Sequence, residues 1–409
     1  MNVRGKTIGT INPMQFLYPA FISIPFPSMS QSIPAAHLMT DGGATKSGAR
    51  RYTTLDSLRG FLLVMMALNH IPSTFHFLTQ QPFGFMTAAE GFVFLAGLVV
   101  GLVYSRRWKT RGAVATSILL LKRGWMIYKA HLATILAIYL WMLVFSKCTG
   151  QLPVGTPWVW FHQPAKALLA TIALLHQPGL LDVLPTYCGL LLITPLVMWQ
   201  LFKSRLFPVI AISAGAWVLT NFIDPPRPTI IGVINTGAFN FGAWQFLYVI
   251  GVAIGHLWAS GTLPSWKPKL WQILSLASAI LLLSICSHLE PSLGLSRNTW
   301  FLLTNKNNLA PLRLFNVGLI ILLIHGLLAL FRREWDCPPL SFLGRHSLVV
   351  FSSHCVVALI IIGLPHFFES TRLGLTLGPL IIVSCMFATA ALADKRTRQI
   401  KAMTQLARA

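Results

Sequence analysis

Residues 53–71 read TTLDSLRGFLLVMMALNHI. The run opens a membrane helix and carries an acid, an arginine and a histidine into or beside an apolar span. Charge is expensive there: an Asp, Lys or Arg at the centre of a span costs roughly 2.5–3.5 kcal/mol on insertion scales. Asp56 and Arg59 stand three residues apart at the helix start. His70 lies eleven residues beyond Arg59, about 1100° of rotation at ~100° per residue. That is about 20° past three whole turns, so Arg59 and His70 share one stripe, about 16 Å apart along the axis. The two cannot touch, but they can hold the two ends of one long ligand. A plainer account keeps Arg59 as an interfacial cation and His70 as a packed histidine.

Composition makes the rest of the chain a membrane domain. Of 409 residues, 55% are hydrophobic and 10% charged, and the mean hydropathy is positive. A soluble domain carries about 25% charged residues. The formal charge of +22 would suggest nucleic acid in a soluble protein. Here the basic residues sit in short loops between apolar runs, as membrane orientation requires, so no nucleic-acid partner is expected. The six cysteines are scattered without a CxxC pair, the histidines form no ligand pattern, and no metal is expected.

Residues 1–52 are rich in Pro, Ser and Gly, without the apolar core and small-residue cleavage site of a signal peptide. They read as a flexible cytoplasmic arm; translation starting at Met39 would leave the short basic leader TDGGATKSGARR. Apolar runs of spanning length follow, near 58–77, 85–104, 124–145, 182–202, 206–222, 241–259, 270–288, 312–331, 347–364 and 373–393. The expected architecture is all-α: a polytopic bundle of about ten transmembrane helices over 53–394, then a basic cytoplasmic tail, 395–409. The run 164–176 is too short to span and is expected to lie in the interface or to re-enter. Ten spans put both termini on one side, and 24 of the 32 Lys and Arg residues then fall on that side. This bias places both termini in the cytoplasm.

Topology sorts the polar groups by depth. Arg59 lies at the cytoplasmic edge, joined by Lys122 and Arg123 before the third span. His70 lies in the outer half of the first span, Glu90 in the outer half of the second, and Asp182 opens the fourth at the outer face. The result is a basic cytoplasmic mouth and an outer pocket holding a histidine and two carboxylates. Arginine presents a fork matched to phosphate. A histidine beside a carboxylate suits general base catalysis on a hydroxyl. Together these fit transfer of an acyl group from a cytoplasmic thioester to an outside alcohol.

Other residues read both ways. Glu90, a carboxylate inside an apolar span, is a functional hypothesis by default, whereas Asp182 can also cap its helix. Asn240, Trp244 and Gln245 enter the sixth span from outside, where they can bind sugar hydroxyls or bond neighbouring helices; Asp56 and Asn69 are further substrate-binding candidates. Trp158, Trp160 and Phe161 suit sugar stacking or an interfacial belt, with the belt favoured. His131, His256, His288, His325, His354 and His366 read as packing histidines.

At these residues a family likeness enters. LDSLRGFLLVMMALNH, followed by FGFMTAAEGFVFLAGLVVGLVY, resembles the opening of the OpgC family, the inner-membrane succinyltransferases of osmoregulated periplasmic glucans. LLDVLPTY around Asp182, FNFGAWQFLYVIGVAIG (239–255) and FLGRHSLVVFSSH (342–354) extend the resemblance over about 53–393. OpgC proteins are related to the acyltransferase-3 membrane O-acyltransferases, which carry an arginine, ten residues and a histidine in the first span. The resemblance implies His70 as catalytic base and Arg59 as essential to donor binding or structure. It puts Glu90 where that family often has an acid, and Arg123 in its basic stretch before the third span, although the usual RxxR pair is not intact here. It also implies succinyl-CoA, or a similar acyl-CoA, as donor substrate with no resident cofactor, and a periplasmic glucan or other envelope glycan as acceptor. A succinyl tail would call for one more cation, for which Lys129 and Arg313 are candidates.

Two competing readings stand beside the enzyme. One is a proton-coupled transporter or exporter with His70, Glu90 and Asp182 as the relay, although the halves show no convincing internal repeat of the kind transporters carry. The other is a structural subunit of a glycan-synthesis complex.

Overall fold

A computed structural model describes residues 52–154, 156–223, 235, 237–289, 294, 296–331 and 334–406. The N-terminal arm, the alternative start at Met39 and the loop cations Arg227, Arg332 and Arg333 lie outside the described residues, and so does the side chain of Trp158. The described residues form helices with one isolated parallel bridge between His176 and Asn235.

Each of the ten expected spans coincides with a helix. They are α1 (Thr53–Asn69), α3 (Ala88–Arg111), α4 (Ala113–Thr149), α7 (Val183–Phe202), α8 (Leu206–Ile223), α9 (Phe241–Ser260), α10 (Leu270–His288), α12 (Pro311–Phe331), α14 (Ser347–Ile362) and α16 (Arg372–Leu406). Short helices join them: α2 (His76–Thr79), α5 (Trp158–His162), α6 (Pro164–Ile172), α11 (Arg297–Thr304), α13 (Pro338–Arg345) and α15 (Pro365–Ser370). By length and composition seven helices can cross a membrane, or eight if the bent pair α13–α14 counts as one span. Helix α1 has 17 residues and α8 has 18, at the lower limit for about 30 Å of hydrocarbon at 1.5 Å per residue. The short run at 164–176 contains only the nine residues of α6.

Several boundaries differ from expectation, and proline and glycine set some of them. Helix α1 stops at Asn69 rather than continuing to 77, because Pro72 lacks an N–H and disfavours helical backbone before it. His70 therefore sits at the helix end, its N–H closing a turn on the Ala67 carbonyl at 3.2 Å. Helix α4 extends for 37 residues, about 55 Å, so it projects beyond a bilayer core. Gly112 separates α3 from α4 with φ +80°, and Gly150 closes α4 in the left-handed region; both conformations suit glycine. Helix α16 runs unbroken through the expected tail boundary to Leu406.

Large apolar side chains line the outside of the helices, among them Leu136, Leu140 and Val144 on α4 and Leu281 and Leu282 on α10. Such faces suit lipid rather than water. The tight core is the α3–α9 pair. Gly97 and Gly101 lie against the carbonyls of Tyr248 and Val252, and Gly251 and Gly255 against those of Phe94 and Leu98. No Cβ fits at these four points, so two small-residue stripes bring the backbones together. A second close pair is α1 on α13. Gly60 meets the Leu340 carbonyl and Gly344 meets the Asp56 carbonyl, while Ser57 Oγ accepts from the Cys337 N–H at 3.0 Å. These contacts lie in the compact unit Thr53–Arg396.

Candidate active site

Helix α1 presents a polar group at each end. At its start, Arg59 Nη1 donates to the Gly344 carbonyl at 3.2 Å and lies 3.3 Å from Asp56 Oδ1. The guanidinium thus ties α1 to the C-terminus of α13, where a cation complements the exposed carbonyls. Arg123 on α4 and Arg59 both act electrostatically on Tyr187 of α7, with Tyr104 of α3 close by. Lys122, next to Arg123, is exposed. The sequence placed Arg59 and Arg123 at one mouth, and the fold brings both to the same tyrosine.

At the far end, His70 meets a residue assigned to packing by the sequence. His354 Nε2 lies 3.3 Å from His70 Nδ1, the rings nearly parallel with centroids 5.4 Å apart. His354 is fully buried, with Phe351 edge-on to its ring at 4.9 Å. Cys355 follows it, its thiol 3.7 Å from His354 Nε2 and donating to the Leu180 carbonyl at 3.5 Å. Helix α14 carries Phe351, His354 and Cys355, so this helix, not α3, supplies the partner of His70. Nothing local could have marked His354: it lies 284 residues from His70.

Asp182 reaches the same neighbourhood from the chain before α7. Its Oδ2 accepts the Ala238 N–H at 2.7 Å, and Gly237 packs so closely that a Cβ would strike the Asp182 side chain. The bridge beside it is firm: Gln177 N–H donates to the Asn235 carbonyl at 2.7 Å, and Asn235 N–H to the Leu175 carbonyl at 2.8 Å. Asp182 acts electrostatically on Cys355. Lys306, in the loop between α11 and α12, acts on both Asp182 and His70. In the sequence Lys306 is one of many loop cations.

Glu90 is bonded to Arg313 and Thr87. One carboxylate oxygen pairs with Arg313 Nη1 at 2.7 Å. The other accepts the Thr87 N–H at 2.9 Å and the Thr87 hydroxyl, closing the first turn of α3. Arg313 also donates to the Phe85 and Thr304 carbonyls, both at 2.6 Å. Both side chains are buried, which is tolerable for charge only with partners this complete.

The remaining candidates are held by protein groups. Asn69 Nδ2 donates to the Thr79 carbonyl at 2.6 Å. Asn240 caps α9 by accepting the Gly242 N–H, and donates to Asn308 Oδ1 at 3.2 Å. Trp244, fully buried, donates to the Asn307 carbonyl at 3.1 Å. Gln245 exchanges hydrogen bonds with Ser213 through its hydroxyl (2.6 Å) and carbonyl (2.8 Å). Of the sugar-stacking candidates, Trp160 is buried against Tyr139.

Between the two ends lies a narrow apolar cleft, with about 10 Å³ of room for the centre of a water-sized molecule. Phe92, Val93 and Ala96 of α3 form one wall, and Val183, Thr186, Tyr187 and Leu190 of α7 the other, with Phe239 beside them. Tyr187 is the residue on which Arg59 and Arg123 act. Phe92 stacks on Phe351, which abuts His354. Phe239 lies below the Lys306 ammonium, 5.8 Å from ring centroid to nitrogen. The cleft thus touches the arginine end through one residue and the histidine end through two.

These features define a polytopic α-helical membrane protein with a histidine pair, an apolar cleft and two arginines that act on one tyrosine of that cleft. The chain belongs to the OpgC protein family, whose model matches residues 51–398. Membership of this family points to a glucan-modifying transferase. No curated protein and no solved structure matches the chain.

Proposed function

We propose that this protein is an inner-membrane O-acyltransferase. It moves a succinyl or similar acyl group from cytoplasmic acyl-CoA to hydroxyls of a periplasmic glucan or other envelope glycan. Arg59 and Arg123, with Lys122 at the rim, take the phosphates of the donor at the cytoplasmic face. The pantetheine arm follows the apolar cleft past Tyr187 and Phe92. Its thioester arrives beside His70, where the glycan hydroxyl enters from the periplasm. His70 removes the hydroxyl proton as the oxygen attacks the thioester carbonyl; the C–S bond breaks, and the proton passes to the departing thiolate. His354 holds the His70 ring through Nδ1, leaving Nε2 for the hydroxyl, the arrangement a general base needs. Asp182 balances charge around that step. Glu90, held by Arg313, fixes the start of α3 and so one wall of the cleft. Relation to the acyltransferase-3 enzymes is part of this proposal, as are cytoplasmic termini.

The observation that carries the reading is the hydrogen-bonded pair of His70 and His354, together with an apolar cleft and the action of Arg59 and Arg123 on one tyrosine of that cleft. The test is mass spectrometry of periplasmic glucans from cells lacking the protein, complemented with wild type or His70→Ala. The expected result is an acyl mass lost on deletion and restored only by wild type. Restoration by both would remove His70 from the chemistry. No change in mass on deletion would count against the glucan acceptor. The transporter reading needs a carboxylate free to exchange protons, and the engagement of both Glu90 oxygens weighs against it.

A further inference from the structure

The loop Asn305–Ala310 is pinned from several sides. Asn240 N–H and Trp244 Nε1 both donate to the Asn307 carbonyl, at 3.0 and 3.1 Å. Asn221 Nδ2 donates to the Asn308 carbonyl and Trp217 Nε1 to the Leu309 carbonyl, both at 2.9 Å. Within the loop, Asn307 N–H donates to Asn305 Oδ1 at 2.9 Å, and Leu309 N–H to the Lys306 carbonyl at 3.1 Å. Loops with this many buried anchors hold a side chain's base in one place. The side chain so held is Lys306.

Lys306 is half-buried, and among the described residues no carboxylate oxygen lies within 4.0 Å of its nitrogen. Its ammonium sits over Phe239, a residue of the cleft. It is also the cation whose charge reaches both His70 and Asp182. The other cation buried nearby, Arg313, has three of its five N–H groups on Glu90, Phe85 and Thr304. An ammonium set over a residue of the cleft, with no carboxylate oxygen within 4.0 Å among the described residues, attracts an anion, and a compact point charge suits a single carboxylate.

We infer that Lys306 binds a free carboxylate at the far end of the acyl group, so that it selects monothioesters of short dicarboxylic acids over uncharged acyl groups of the same length. The inference rests on the acyl-transfer reading. Pinning by Trp217, Asn221, Asn240 and Trp244 then has a purpose: those residues do not touch the substrate but hold the selecting charge at a fixed distance from His70. Lys306 is a specificity residue and takes no part in breaking or making bonds.

The test uses the full chain in lipid nanodiscs, with a linear β-glucan oligosaccharide as acceptor and two donors, succinyl-CoA and its uncharged counterpart butyryl-CoA. Transfer is read by product mass for wild type, Lys306→Met and Lys306→Arg. The wild type is expected to prefer succinyl-CoA by tenfold or more. Lys306→Met is expected to erase that preference while leaving butyryl transfer and the thermal unfolding midpoint unchanged, and Lys306→Arg to keep part of it. A preference that survives in Lys306→Met overturns the inference alone. Equal loss of both donors in Lys306→Met overturns it as well, by making the residue structural. A wild type that transfers from neither donor sinks the acyl-transfer reading and the inference with it.

Discussion

Arg313 Nη1 donates to Glu90 Oε1 at 2.7 Å, joining the start of α12 to the first turn of α3 across 223 residues of sequence. Both charges are buried, so each is tolerable only because of the other. Removing one partner of such a pair costs about 3–5 kcal/mol, whereas an apolar pair of similar volume can be nearly neutral. Glu90→Gln and Arg313→Met are each expected to lower the unfolding midpoint in detergent. The double variant Glu90→Met/Arg313→Leu is expected to recover most of the loss. Single variants as stable as wild type would show that the pair does not hold the cleft wall.

His70 and His354 are expected to fail differently. His70→Ala removes the proposed base and should reduce kcat by about 10²–10⁴-fold. His354→Phe keeps the packing against Phe351 but drops the nitrogen facing His70. Misaiming the His70 ring should cost up to about 10²-fold in kcat, with KM for the donor little changed. A rise in KM with kcat intact would mean that His354 shapes the cleft rather than aiming the base.

Arg59 does two jobs that one substitution separates. It bonds the Gly344 carbonyl and pairs with Asp56, and in the proposed reaction it takes donor phosphate. Arg59→Lys keeps charge but loses the planar fork. The expected result is a folded protein with a raised KM for acyl-CoA; KM unchanged in this variant would take Arg59 out of donor binding.

The α3–α9 contact should be the least forgiving surface in the fold. Gly101→Val or Gly255→Val places side-chain carbon where a carbonyl already sits, and overpacking of this kind costs about 1–3 kcal/mol or more. Reduced yield and a lower unfolding midpoint are expected for both. Gly215, whose Cβ position meets nothing within 4 Å, serves as the control: Gly215→Ala should be neutral or slightly stabilising.

Orientation is tested by a reporter fused after Arg408. A cytoplasmic signal is expected from the loop-charge bias, and a periplasmic signal would overturn the ten-span arrangement.

The sequence was most informative where the physics is local. Apolar runs mark helices one by one, so ten runs found ten helices, and Pro72 already carried the stop that keeps α1 short of its expected end. What was not legible depended on distant partners. Glu90 looked like a lone carboxylate in a span because its counter-ion lies 223 residues away. His354 looked like one packing histidine among several, and only the return of α14 to α1 sets it against His70. Lys306 looked like one loop cation of many, because its restraint comes from tryptophans and asparagines on two other helices.

The elbow between α13 and α14 bends by 89°, and its two arms grip the same helix. One arm meets α1 at Gly60 and Arg59; the other delivers His354 to His70. A single bent piece therefore works as a caliper on α1, with its jaws about two turns into the helix and just past its last turn. Under the acyl-transfer reading, the gap between phosphate and thioester is set by this caliper and does not stretch. The protein would then gauge its donor by length, rejecting thioesters on shorter or longer arms before any recognition of the acyl group begins.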